Sequence, residues 1–155
     1  NDILVPKGAL KPLLELSKKH TVVVPMSTRY GAGHAWKYQS ILVYYNIQGV
    51  NKPANYQRAQ NQILKHSKKP IQIPLFNGFF FVINRKVLKY ELENGNLFDP
   101  TNINVGNEDD LNHRLEQEDK PMLCLSSFIF HFKNITFKSK DLGSRRNQLE
   151  LFRRS

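Results

Sequence analysis

The chain opens on an apolar run, a helical stripe and a second apolar run, a succession that restricts it to few architectures. Asp2-Ile3-Leu4-Val5 has the character of a strand end, Pro6 suits a first helical position, and Leu10, Leu13, Leu14 and Leu16 fall at helical spacing. The pattern predicts a helix from Lys7 to about Lys19 and a buried strand at Thr21-Val22-Val23-Val24-Pro25. Strand, helix, strand in immediate succession points to an α/β fold with a parallel unit. At 155 residues the length is that of one domain able to bury a real core. No apolar run approaches the ~20 residues that span a bilayer.

Charge narrows the partners. A formal net charge of +10 favours an anionic one: nucleic acid, a membrane surface or a phosphorylated small molecule. The single cysteine, Cys124, excludes an internal disulfide. Within Met122-Leu123-Cys124-Leu125 it reads as a buried core residue. A reducing compartment fits, and the expected location is the cytoplasm or the cytoplasmic face of a membrane. No targeting segment is readable at Asn1.

Farther along, Ser27 to His34 is polar, glycine-rich and aperiodic, a loop at the carboxyl end of the preceding strand, where α/β sheets place ligands. Its Gly31-Ala32-Gly33 lacks the third glycine of a phosphate-binding fingerprint and reads as a flexible loop. Ile41-Leu42-Val43-Tyr44-Tyr45 suits a strand or a helical piece equally. Asn55 to Lys69 predicts a solvated helix with a basic last turn, which the helix dipole favours without any bound anion. Pro74 to Ile83 predicts a buried strand, with Gly78 inside it at the pocket side and Asn84 capping a following helix. Pro121–Leu125 and Ser127–Phe132 predict two more short strands.

Between them lies Val105-Gly106-Asn107-Glu108-Asp109-Asp110-Leu111-Asn112-His113-Arg114-Leu115. Three carboxylates follow a Gly-Asn turn and lead into Leu111 and Leu115, which places them on the first turn of a helix. Helix initiation alone accounts for acids there, through capping and the macrodipole.

Several motifs in order carry a resemblance. Asn1-Asp2-Ile3-Leu4-Val5-Pro6 is similar to the closing part of an Asp-x-Asp motif with its apolar residues and proline. Asn77-Gly78-Phe79-Phe80-Phe81-Val82-Ile83-Asn84-Arg85 resembles a Gly-led strand ending in a basic residue. Asn107 to Arg114 looks like a Glu-Asp-x-Asp-Leu-x-x-Arg cluster, and His131 to Phe137 echoes a His-bearing strand followed by Thr-Phe. The tail from Asn147 to Arg154 is similar to a closing Phe-Arg-Lys segment. Together these resemble the second half of a GT-A fold glycosyltransferase of the large family 2 group, over nearly the whole chain.

The resemblance implies a Rossmann-type sheet with flanking helices. It implies a nucleotide-binding N-terminal half lying upstream of Asn1 or on a partner chain, residues 1–155 being the acceptor-side half with a basic tail from about 138. The activity implied is inverting, metal-dependent transfer of a sugar from a nucleotide-sugar donor to a hydroxyl of a glycan or glycoconjugate acceptor. Asp2 and His131 would hold Mn²⁺ or Mg²⁺. Glu108 takes the general-base position, with Asp109 competing because Asn107 stands where relatives carry Glu. Asp110 would bind acceptor hydroxyls or cap the helix, and Asn77 and Gly78 would floor the acceptor pocket.

Simpler roles exist for each. His131 on an apolar strand suits a core histidine, while His20, His34, His66 and His113 show no ligand spacing. Trp36 and the Tyr44-Tyr45 pair suit either core packing or stacking on a sugar. Arg145, Arg146, Arg153 and Arg154 suit a solvated helix face. The competing function is a non-enzymatic basic module for nucleic acid or an anionic glycan, which three clustered carboxylates argue against by repelling phosphate.

Overall fold

Val22–Met26 (β2) is buried at every position, because both of its faces are covered. The computed structural model describes residues 2–66, 68–85, 95–100, 107–115 and 119–132, and of Asn107 and Glu108 the backbone alone. Within these, Ile3–Leu4 (β1) and Leu10–Ser17 (α1) precede β2. Trp36–Gln39 (α2), Ile41–Tyr44 (α3) and Tyr56–Leu64 (α4) follow it. Ile71–Gln72 (β3), Val82–Ile83 (β4), Asn107–Leu115 (α5), Met122–Phe128 (β5) and Phe130–His131 (β6) complete the order.

The main sheet runs β3-β5-β2-β4, and β1 pairs with β6 in a separate ribbon. β2 and β5 are parallel, whereas β3 and β4 are antiparallel to their neighbours, so the fold is α/β with a mixed four-stranded sheet and flanking helices. Alternation divides the core. Val22, Val24, Met26, Leu123 and Leu125 face one layer, with Ile63, Phe76, Leu111 and Leu115, while Val23, Met122 and Cys124 face α1 through Ala9 and Leu13. Leu111 and Leu115 are fully buried, worth about 2 kcal/mol each in seating the acidic helix. Among the described residues, no helix is long and apolar enough to cross a membrane.

The first helix starts at Leu10, later than expected. Gly8 takes φ +90°, outside the helical region, so the chain turns over Pro6–Ala9 and Pro6 does not begin the helix. Ile41–Tyr44 is helical, with Ser40 Oγ accepting from Leu42 N at 3.3 Å. α4 stops at Leu64, and beyond it the Lys68 ammonium lies 4.2 Å over the Tyr45 ring and donates to the Tyr44 carbonyl.

The expected strand over Pro74–Ile83 is the larger departure, since only Val82 and Ile83 pair. Gly78 lies in a turn, not inside a strand. Asn77 causes this: its N–H goes to Gln39 Oε1 at 2.8 Å and its Oδ1 accepts from Phe79 N at 3.3 Å, an Asx-type turn that competes with the ladder. Asn84 bonds Thr21 O and Ser17 O, and the helix expected after it lies outside the described residues, as does the basic tail.

β5 is one continuous strand to Phe128 with a bulge. Pro25 pairs with Cys124 but Met26 pairs with Phe128, because Pro25 has no N–H to continue the ladder. The looped-out segment is satisfied by side chains. Gln60, fully buried, donates to Ser126 O at 3.0 Å and accepts from Phe128 N at 2.8 Å, and Tyr45 Oη donates to Leu125 O at 2.6 Å. This bulge delivers the chain into β6.

Candidate functional site

The β1–β6 ribbon joins distant parts of the chain: Ile3 pairs with His131, and Phe132 N donates to Asp2 O at 2.8 Å. Asp2 Oδ2 consequently lies 3.1 Å from His131 Nε2. The other ring nitrogen, Nδ1, is 2.7 Å from the Gly31 carbonyl. A carbonyl only accepts, so Nδ1 carries the proton and Nε2 turns its remaining position to the carboxylate. The separation is that of a hydrogen bond, and a cation bonded to both atoms at about 2.1 Å would sit to one side of the line joining them. Donation of the second ring N–H to a backbone carbonyl is also the usual support of a metal-bound histidine. An imidazole with a carboxylate oxygen suits Mn²⁺ well and Mg²⁺ less so. Asp2 and His131 thus bring to one corner two donor types that such a cation accepts, and no group of three or more His, Cys, Asp or Glu suited to a metal gathers among the described residues.

The imidazole is held at one face as well as at its two nitrogens, and the backbone beneath it is held too. Phe79 stacks on it at 5.0 Å between centroids and 10° between planes, and Ser27 Oγ accepts from His131 N at 3.3 Å. Gly31 must be glycine here, since a Cβ would sit 2.5 Å from Ser27 Oγ and 2.7 Å from His131 O. The loop read as flexible is thus a close-packed support for the histidine.

Two residues past Gly31 the same loop approaches the acidic helix. Gly33 has φ +52°, and a Cβ there would meet Asn77 Nδ2 at 2.6 Å. His34 Nδ1 lies 3.5 Å from Asn77 Nδ2, and its Nε2 lies 3.6 Å from Asp109 Oδ1. His34, Asp109, Asn112, His113, Pro74 and Leu75 line a cleft of ≈ 270 Å³. Asn112 closes its base by bonding both backbone groups of Phe76, Oδ1 accepting from N at 3.0 Å and Nδ2 donating to O at 2.9 Å.

Asp109 thus lines the cleft, Asn77 only touches its His34, and neither Gly78 nor Trp36 is among its lining residues, while Asp2 and His131 meet at one corner, with a single loop touching both. The Asp109 carboxylate is 65% exposed, ready for a polar partner. Asp110 Oδ2 is bound by Arg114 Nε at 3.0 Å and Nη2 at 2.8 Å, a bond that stabilises the helix. Arg114 Nη2 also donates to Leu97 O at 2.6 Å. The Glu108 side chain lies outside the described residues. Trp36 opens α2 at the end of the same loop, with the Arg29 guanidinium 4.4 Å over its ring.

Sequence reasoning missed His34, Gln39 and Asn112. His34 sits between glycine-rich chain and an exposed aromatic, a hint that it lines a loop rather than a core. For Gln39 and Asn112 no local signal exists, because their partners lie far along the chain. The chain matches no known protein family, no characterised protein and no solved structure.

Proposed function

We propose that this chain is the acceptor-side part of an inverting, metal-dependent glycosyltransferase that moves a sugar from a nucleotide-sugar donor to a hydroxyl of a glycan or glycoconjugate. The observation that carries this reading is the Asp2–His131 pair, with Nδ1 tied to Gly31 O so that Nε2 faces the carboxylate. In this reading Asp2 and His131 hold Mn²⁺ or Mg²⁺, which when bound supplies Lewis-acid neutralisation of the departing diphosphate. A carboxylate on the first turn of α5 takes the proton of the acceptor hydroxyl as its oxygen bonds to the anomeric carbon and the bond to the diphosphate oxygen breaks. Glu108 and Asp109 compete for that role, and the helix N-terminus favours the ionised base. In this reading Asn77 and Gly78 would floor the acceptor pocket and Trp36 would stack on the sugar.

Thermal unfolding with Mn²⁺ alone, and with Mn²⁺ plus a nucleoside diphosphate, tests the metal pair. A rise in Tm that Asp2→Asn removes is expected; an equal rise in the variant overturns the assignment. A rise with an oligonucleotide and none with metal favours the binding-module alternative. In the intact enzyme Glu108→Gln should cut transfer about 10²–10⁴-fold at unchanged Tm, and unchanged turnover rules out Glu108 as base.

A further inference from the structure

The loop that supports His131 also carries a cationic and aromatic surface. Arg29 and Tyr30 form its exposed tip, held by Thr28, whose Oγ1 accepts from Gly31 N and whose carbonyl accepts from Ala32 N, each at 2.9 Å. Arg29 Cζ lies over the Trp36 ring 4.4 Å from its centroid, and Lys37 Nζ approaches the same ring at 5.9 Å. Trp36 is 36% exposed and Tyr38 37%. Neither Arg29 nor Lys37 has a carboxylate partner among the described residues. Gly31, whose carbonyl meets His131 Nδ1, is two residues from Arg29, so one loop carries both.

We propose that Arg29 and Trp36 form a subsite for a sugar ring bearing an anionic group, a carboxylate or a phosphate. A guanidinium held over an indole retains N–H groups able to make two-point contact with such an anion. The exposed flank of Trp36 offers an apolar face to the C–H side of the ring. Lys37 adds a second cation with no carboxylate partner among the described residues. A neutral sugar would use the indole and leave both cations unmatched. This subsite rests on the glycosyltransferase reading for its meaning, because it assigns the acceptor to the acidic or phosphorylated sugars, but not for its existence.

Trp36 is the only tryptophan, so fluorescence excited at the red edge, where tyrosine does not absorb, reports this surface. The full chain, without metal or donor, is titrated with a glucuronate oligosaccharide, glucose 1-phosphate, a neutral glucose oligosaccharide, inorganic phosphate and an oligonucleotide. At least one anionic sugar should bind tenfold or more tightly than the neutral one, with an affinity that falls as salt rises. The uronate and phosphate arms identify which anion is meant. Arg29→Ala should abolish the preference, and Lys37→Ala should weaken it severalfold. Equal affinity for neutral and anionic sugars overturns the proposal, as does a preference that survives Arg29→Ala. Inorganic phosphate or the oligonucleotide binding as tightly as the best sugar overturns it too. Loss of the Mn²⁺ response leaves these titrations untouched, so failure of the enzymatic reading and failure of the subsite are told apart.

Discussion

The β1–β6 corner and the first turn of α5 present carboxylates to the same loop, yet they are held in opposite ways. At the corner the polar pair is pinned by backbone: the Gly31 carbonyl, the strand ladder and the Asp2 carbonyl all fix it, and the His131 side chain is only 18% exposed. At the helix, buried Leu111, Leu115 and Asn112 fix the element, while Asp109 projects from it into solvent. A group held by backbone has one geometry, as metal binding requires. A group projecting from a rigid helix can adjust to its partner.

That contrast predicts unequal responses to substitution. The largest is expected for Gln60→Ala, which strips the partners from Ser126 O and Phe128 N in the bulge leading into β6. A loss of about 3 kcal/mol by denaturant unfolding is expected, and a loss under 1 kcal/mol would mean that the bulge finds other partners. Gly31→Ala should cost about 2 kcal/mol through overpacking against Ser27 and His131, and should weaken the Mn²⁺ response in parallel. If stability falls and the metal response does not, the corner is less tightly defined than the contacts imply. Asp109→Asn should change stability by less than about 0.5 kcal/mol, since its facing histidine is also exposed. A larger cost would erase the distinction between the two regions.

The smallest effect concerns Cys124, away from both regions. Burial pushes its thiol above the ordinary value, against a smaller opposing hydrogen bond from Ser126. Its stabilising contribution is complete below the unfolded thiol pKa of about 8.5 and is lost as pH rises through the folded value. Part of the alkaline fall in stability should therefore vanish in Cys124→Ala, as read by denaturant unfolding at neutral and alkaline pH.

What the sequence made legible was whatever local periodicity encodes. Val22–Met26 alternates between two cores, Leu111 and Leu115 seat the acidic helix, and Cys124 is buried as its neighbours imply. The phenylalanine run at 79–81 misled because Asn77, two residues upstream, bends the backbone locally, and a buried glutamine 38 residues away takes its N–H. The loop at Gly31 read as slack because its constraint comes from a histidine 100 residues away. Asp2 and His131 were expected to meet from resemblance alone, since no spacing rule links residues 129 apart.

That separation has a consequence for folding. A cation gripped by both side chains would fasten a loop of nearly the whole polypeptide, and cross-linking a loop of that size removes on the order of 5 kcal/mol of entropy from the disordered ensemble. Chelation would then act as a clasp: ion withdrawal should loosen the entire architecture rather than its corner, and the ion should hold only to a chain that has finished folding.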